Sequence, residues 1–303
     1  MPHSRTYKSP SLAVIPAAGL GTRLLSATKE QPKEMLPLFA SERGALCLKP
    51  AVQQIFEQLF DLGLREFCFV VGKGKRAIED HFTPDFDYVR QLSARGKRAQ
   101  ALQLGRFYDR ITRSTILWVN QPEPLGFGHA VLQTEPLTGN EPFLVHAGDT
   151  YIVSKSHSIH SRLSNAHYNQ VRGGADATLT VQQMDDPRQY GVAEVRRTWL
   201  GTLKVISVEE KPAQPKSNLA IMPLYMFNHT IFDSLKKTKK GRFGEIQLTD
   251  AIQGLLDSGH KVQAVSLNAD DLRLDIGTPE TYWEAVGSSY RNAMSNKHGS
   301  ARA

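Results

Sequence analysis

Leu12-Ala13-Val14-Ile15-Pro16-Ala17-Ala18-Gly19-Leu20-Gly21-Thr22-Arg23, followed by Lys29-Glu30-Gln31-Pro32-Lys33-Glu34-Met35-Leu36-Pro37, is the stretch that decides the fold. A short apolar run ends in a turn of small residues, and an arginine and two spaced lysines follow. Leu12 to Pro16 reads as a buried strand. Ala17, Ala18, Gly19 and Gly21 carry little or no side chain, so a ligand can reach the main chain, whose exposed N–H groups then form a concavity for anions. Arg23 brings a planar fork suited to phosphate oxygens. Lys33 brings a compact charge, held between Pro32 and the apolar Met35-Leu36-Pro37. The spacing is not a Walker A loop, and Leu24 stands where a dinucleotide fingerprint needs its third glycine. The cations after the cradle match a polyphosphate tail, so a nucleoside triphosphate is the expected substrate class.

Outward from this segment, short apolar runs alternate with helical patterns, which predicts an α/β fold with a mostly parallel sheet flanked by helices. Strands are expected at 12–16, 66–71, 115–119, 143–146, 175–183, 192–195, 203–208, 221–227 and 261–267. Val52, Ile55, Phe56, Leu59 and Phe60 follow helical spacing and predict a helix over 50–62, ended by Gly63. Further helices are expected at 75–82, 156–170, 229–237, 246–258 and 279–294. Residues 83–113 read as a polar, basic, partly helical insertion, and the ends, 1–11 and 295–303, as disordered tails. Neither an internal repeat nor a long linker interrupts the pattern.

Composition excludes several classes. No apolar run nears the roughly 20 residues of a membrane helix, and Met1 to Ser11 has no apolar segment of a secretory signal, so the expected location is cytoplasmic. Cys47 and Cys68 form neither a disulfide framework nor a zinc pattern, and Cys68 reads as a core residue. The net charge of +7 would suit nucleic acid. The excess, however, is local: Arg90, Arg95, Lys97, Arg98, Arg106, Arg110 and Arg113 lie in the insertion, with no accompanying nucleic-acid motif. A solvated insertion is the expectation.

Transfer between phosphates brings several negative charges together, and Mg²⁺ held by one or two carboxylates is the usual remedy. Asp149 follows Phe143-Leu144-Val145 and Ala147-Gly148, which places a carboxylate at the carboxyl end of a strand. Asp275, in Leu274-Asp275-Ile276-Gly277-Thr278, has the same look. Gln121 follows a strand and opens Gln121-Pro122-Glu123-Pro124-Leu125-Gly126-Phe127-Gly128-His129-Ala130; its amide can pair with a pyrimidine edge. Tyr190-Gly191-Val192, Val208-Glu209-Glu210-Lys211-Pro212, Asn218-Leu219-Ala220 and Gly244-Glu245-Ile246-Gln247-Leu248-Thr249-Asp250-Ala251-Ile252 come after them.

Taken together, G-x-G-T-R…K…P-K-x-M-x-P, G-D, Y-G-V, V-x-E-K-P and D-x-G resemble the sugar-1-phosphate nucleotidylyltransferases. The nearest group is the bacterial and archaeal type that uses UTP and glucose 1-phosphate; the thymidylyltransferases are near relatives. The resemblance runs from about residue 12 to residue 287 and implies one domain over that span, with a nucleotide-binding part at about 12–150 and a sugar-binding part at about 151–287. It implies a Rossmann-like sheet with added sugar-binding strands, transfer of a uridylyl group to glucose 1-phosphate, and release of pyrophosphate. It implies nucleotide contacts from Ala17, Ala18, Gly19, Gly21, Thr22, Arg23, Gln121 and Gly126. Gly191, Glu210, Lys211 and Asn218 would bind the sugar phosphate, Arg23, Lys33 and Lys211 would serve catalysis, and Asp149 and Asp275 would hold Mg²⁺. His129 is expected to be structural or to stand behind the contacts, and Glu245 and Asp250 to be structural. A homo-oligomer, dimer or tetramer, is implied by the resemblance alone. His146-Ala147-Gly148-Asp149 departs from the L-P-D of uridylyltransferases, and Asp275-Ile276-Gly277-Thr278-Pro279 looks more like thymidylyltransferase usage, so dTTP stays an alternative. A non-catalytic sugar-nucleotide sensor is the alternative of another class.

Overall fold

Leu12 to Pro16 forms β1, buried along its whole length. The computed structural model describes residues 10–155, 157–169, 174–199, 201–241 and 244–299. After β1 come a hairpin, β2 (Pro37–Glu42) and β3 (Ala45–Pro50), and helix α1 (Ala51–Asp61). α1 stops where expected: Leu64 N–H bonds to the Leu59 carbonyl and Gly63 N–H to that of Phe60, with Gly63 at φ 102°. That closing pattern needs the left-handed conformation glycine adopts without steric cost. Then follow β4 (Glu66–Val71), α2 (Arg76–His81), α3 (Phe86–Ala94), α4 (Arg98–Thr112), β5 (Thr115–Asn120), α5 (Phe127–Leu132), α6 (Glu135–Thr138) and β6 (Phe143–His146).

The second half contributes β7 (Thr150–Val153), α7 (Ile159–His167), β8 (Ala177–Gln183), β9 (Gly191–Arg197), β10 (Leu203–Glu210), β11 (Leu219–Phe227), α8 (Thr230–Lys237), α9 (Leu248–Asp257), β12 (Val262–Ser266), β13 (Leu272–Asp275) and α10 (Pro279–Gly299). The tail expected to be disordered from 295 is therefore helical as far as Gly299. The remainder of both expected tails, 1–9 and 300–303, lies outside the described residues, as do positions 156 and 170 of the expected 156–170 helix. The insertion at 83–113 is the helix pair α3 and α4. Arg90, Arg106, Arg110 and Arg113 there pair with Asp87, Glu42, Asp61 and Asp109, while Arg95, Lys97 and Arg98 sit exposed at the turn.

Nine strands make one sheet in the order β5-β4-β1-β6-β11-β8-β12-β10-β9. The parallel character belongs to β5, β4, β1 and β6, with β8 and β12 as a further parallel pair. β11 runs antiparallel to both β6 and β8 and joins the two halves. Alternate residues of β1 face opposite cores: Leu12 and Val14 one way, Ala13 and Ile15 the other. α5, α8 and α9 cover the first face; α1, α2, α4 and α7 cover the second. Phe56, Phe67, Phe69 and Phe107 are fully buried on that second face, and each such side chain stabilises the fold by about 1.5–3 kcal/mol relative to exposure. A smaller cluster of Leu24, Leu36, Leu38, Leu274, Ile276 and Ala285 ties α10 to the hairpin and to β13. That cluster sets the Lys33 turn beside Asp275.

Candidate active site

Because β1, β4, β5 and β6 are parallel, their carboxyl ends share one edge of the sheet. Ala17-Ala18, Gly72, Gln121 and Ala147-Gly148-Asp149 leave the strands there. The edge is tightly tied: Ala17 N–H bonds to the Val70 carbonyl, Gln121 N–H to Val71 and Gly148 N–H to Pro16. Gly72 is a position that sequence reasoning missed. A Cβ on it would stand 3.4 Å from the Ala18 carbonyl oxygen and 3.6 Å from that of Gln121. It lets the Ala17-Ala18 turn and Gln121 come together; the only signal was a glycine directly after an apolar run.

Gly19 and Leu20 are exposed at the lip. Gly21 has φ 66°, with its carbonyl capped by Thr28 Oγ1 at 2.8 Å. Thr22 and Arg23 lie exposed in the single 3-10 turn that follows, Thr22–Leu24. Arg23 is near enough that its charge opposes that of Lys33 and favours ionisation of Asp275. Lys33 begins a second short turn after Pro32, and its ammonium forms an ion pair with Asp149. It passes beneath Gly19, where an added Cβ would meet Lys33 Nζ at 3.8 Å. Burial works against both charges of the pair. The Lys33 ammonium outweighs it for Asp149, held below the usual carboxylate range, and Asp149 with Glu34 outweighs it for Lys33, held above the usual lysine value.

Asp149 and Asp275 lie 126 positions apart and come together through one strand pair. β13 runs antiparallel to β7, with Asp275 opposite Thr150. Thr150 Oγ1 lies 3.3 Å from Asp149 Oδ1 and 3.5 Å from Asp275 Oδ1. Burial, and then the neighbouring Asp149 charge, push the Asp275 carboxyl above its ordinary range. Two adjacent carboxylates, with hard oxygen donors, suit Mg²⁺, which binds through one or two carboxylates plus substrate phosphates. Among the described residues no cluster of three or more His, Cys, Asp or Glu could hold a metal alone.

Behind Lys33 lies a pair without a sequence signal. Glu34 and Lys75 are both buried and bond at 2.8 Å. Gln121, also buried, donates from Nε2 to the Gly126 carbonyl and to His129 Nδ1, each at 3.0 Å. Gly126 (φ 97°) turns its open side to the chain at 245–246: a Cβ there would stand 2.8 Å from Glu245 Cβ. Its link to Gln121 thus runs through its carbonyl. Glu245 accepts from Gln247, and Asp250 sits within the field of Glu210, which with burial pushes its carboxyl up.

The residues expected to bind the sugar phosphate gather about β9, β10 and α9. Gly191 pairs with Glu210 across the strands, and a Cβ on it would stand 2.8 Å from Thr249 Oγ1 and 3.2 Å from Glu210 Oε2. Thr249 donates to Glu210 at 2.7 Å. Lys211 takes φ 45°, gives its N–H to the Tyr190 carbonyl, and leaves its ammonium half exposed, 3.5 Å from Glu210. Asn218 is exposed, and its carbonyl accepts from Met184 N–H. Arg273 joins this group to the carboxylates: Nη2 donates to Tyr190 Oη at 3.2 Å, and Nη1 lies 3.9 Å from Asp275. Arg273, Thr150 and Thr249 are further residues that sequence reasoning missed.

The model of the nucleotidyl transferase family matches residues 12–290. The chain belongs to that family. It is 36% identical over 269 residues to a UTP–glucose-1-phosphate uridylyltransferase of Staphylococcus saprophyticus, covering 88% of this chain and 87% of that one. It is 34% identical over 282 residues to a UTP–glucose-1-phosphate uridylyltransferase of Pseudomonas aeruginosa, covering 92% and 95%. Its fold is similar to a UDP-glucose pyrophosphorylase solved with UDP-glucose, with a TM-score of 0.78 and 29% identity over 93% of this chain and 99% of the other. Among the described residues no helix is long and apolar enough to cross a membrane.

Proposed function

We propose that this nucleotidyl transferase moves a uridylyl group from UTP to glucose 1-phosphate, giving UDP-glucose and pyrophosphate. The observation that carries the reading is the meeting of Lys33, Asp149 and Asp275 at one strand edge, between the Ala18–Gly72–Gln121 cradle and the Glu210–Lys211 group. A phosphate oxygen of glucose 1-phosphate attacks the α-phosphorus of UTP in line. The new P–O bond forms as the bond to the bridging oxygen of the β-phosphate breaks, and pyrophosphate leaves with that electron pair. The attacking group is already an anion, so no covalent enzyme intermediate is required. Catalysis is then positioning and charge neutralisation.

Arg23, exposed at the lip, holds the triphosphate tail and the departing pyrophosphate. Lys33 trades its contact with Asp149 for phosphate oxygens as negative charge gathers. Lys211 seats the attacking phosphate, and Glu210 accepts from sugar hydroxyls, with Gly191 leaving the space and Asn218 at the rim. Asp149 and Asp275 would hold Mg²⁺, which when bound supplies positive charge to the phosphates. The reading carries with it a cytoplasmic location, one continuous domain over 12–287 and a homo-oligomer, the last open to sedimentation analysis.

The test is pyrophosphate release from purified protein with Mg²⁺, using UTP, dTTP, CTP, ATP and GTP, each with glucose 1-phosphate and other sugar 1-phosphates. Preferred release from UTP and glucose 1-phosphate is expected; no release from any pair would overturn the reading in favour of a sensor. The D-I-G-T-P segment at 275–279 supports dTTP as the second reading, and a dTTP preference would select it. Asp149→Asn is expected to keep the fold and lose most turnover at saturating Mg²⁺; near-normal activity would remove Asp149 from the metal site.

A further inference from the structure

The hydrogen bonds of Gln121 determine which kind of base edge it can read. An amide nitrogen has two protons, and both are used inside the protein, on the Gly126 carbonyl and on His129 Nδ1. The Gly126 carbonyl can only accept, so the atom facing it must be nitrogen. His129 Nδ1 faces the same nitrogen and must therefore be the unprotonated acceptor of its ring. The ring proton then sits on Nε2, 3.1 Å from Gln133 Nε2, so the Gln133 amide must be turned to present its oxygen there. Burial lowers the His129 pKa, which suits a neutral ring with one acceptor nitrogen. Among the described residues Gln121 Oε1 has no protein partner, and this oxygen is what the amide offers a ligand.

We propose that His129 is a positioning residue that locks Gln121 as a hydrogen-bond acceptor, so that the site selects a pyrimidine carrying N3–H and rejects cytosine. The inference rests on the reading that Gln121 meets the base of the nucleoside triphosphate. Uracil presents N3–H between two carbonyl oxygens and matches Oε1. Cytosine presents a bare N3, and two acceptors then face each other. Turning the amide over to suit cytosine would sacrifice the Gly126 bond, set Oε1 against that carbonyl, and require the His129 ring to move its proton to Nδ1 and the Gln133 amide to turn with it. Thymine shares N3–H with uracil, so this device separates UTP and dTTP from CTP and leaves the choice between the first two to other contacts.

The test compares the parent protein with His129→Leu and His129→Asn. It measures kcat and KM for UTP and CTP with glucose 1-phosphate, and dissociation constants of both nucleotides by calorimetry without the sugar phosphate. In His129→Leu, turning the amide costs the Gly126 bond alone, with no coupled shift of a ring proton and of the Gln133 amide. The UTP-over-CTP preference is expected to fall about tenfold, the equivalent of one hydrogen bond, through KM and Kd rather than through kcat at saturation. His129→Asn, which can place an amide oxygen near the position of Nδ1, is expected to keep most of the preference. If His129→Leu does not fold, Gln133→Leu, which removes the partner of Nε2, is expected to give a smaller fall in the same ratio. An unchanged ratio in the folded Leu variants, or an Asn variant no better than Leu, would overturn the inference while leaving the transferase reading intact. A parent protein that neither binds nor turns over UTP would overturn both.

Discussion

Lys75 and Glu34 illustrate what single residues contribute at a site built to manage charge. Burial pushes the Glu34 carboxyl upward, and Lys75, then Lys33, act against that push. A buried pair of this kind is a weak source of stability, but removing one partner strands the other, at a cost of about 3–5 kcal/mol. Urea unfolding should therefore show a loss of that order for Lys75→Met and a distinctly smaller one for Lys75→Met combined with Glu34→Leu. Equal losses would mean that the pair is not coupled. Gly191 gives a second prediction. A Cβ there displaces the Thr249 hydroxyl from Glu210. Gly191→Ala is expected to raise the KM for glucose 1-phosphate several-fold with little change in the KM for UTP; the reverse pattern in initial-rate kinetics would remove Glu210 from the sugar side. Asp149 was legible because it follows the end of a strand, and Lys33 because it lies in a dense motif of small, cationic and proline residues. Glu34, one position on, was not, because a carboxylate between Lys33 and Met35 carries no sign of burial. Its environment comes from Lys75, 41 positions away.

At the scale of elements, the strands and helices on either side of β1 follow their periodicity closely, and the hairpin β2–β3 is what the sequence reading left out. Arg43 (φ 51°) and Gly44 (φ 77°) make its two-residue turn. Arg-Gly is a weaker hairpin sign than Asn-Gly, and the flanking runs lack clean alternation. The β7–β13 pair was equally hidden, since each strand has four residues and the register that joins Asp149 to Asp275 spans the second half of the chain. β6 and α7 bring a different matter together: His146 and His160 stack, ring centroids 5.3 Å apart, and both Nε2 atoms are buried without a partner. Burial lowers His146 from 6.5 to about 4. Between those values the unfolded chain takes up a proton that the folded chain refuses, so stability falls as pH falls from about 6.5 and levels off below about 4. Full expression of that window costs roughly 3 kcal/mol. Urea midpoints at pH 7, 6 and 5 should fall more steeply for the parent protein than for His146→Leu. Parallel slopes would sink the assignment.

Over the whole molecule, β11 is the seam. Its C-terminal residues pair with β6 on one side and β8 on the other, and its Pro223 carbonyl takes the N–H of Ala147 at the start of the Ala147-Gly148-Asp149 segment. A fragment ending at residue 150 would leave β6 as a bare edge and lose α7 from one apolar face of the sheet and α8 and α9 from the other. Such a fragment is expected to aggregate or to lack a cooperative melt by circular dichroism; a sharp transition in it would show that the nucleotide half stands alone. Lys75, Glu34, Lys33, Asp149, Asp275 and Arg273 form a connected row across the floor of the site, three cations among three carboxylates. From a distance such a row is nearly silent, because neighbouring opposite charges cancel each other's field within a few ångströms. An incoming nucleotide is therefore drawn from solution mainly by Arg23 at the lip, and meets the stronger cations only on contact. Added salt should thus slow capture of the nucleotide far more than it alters the chemical step.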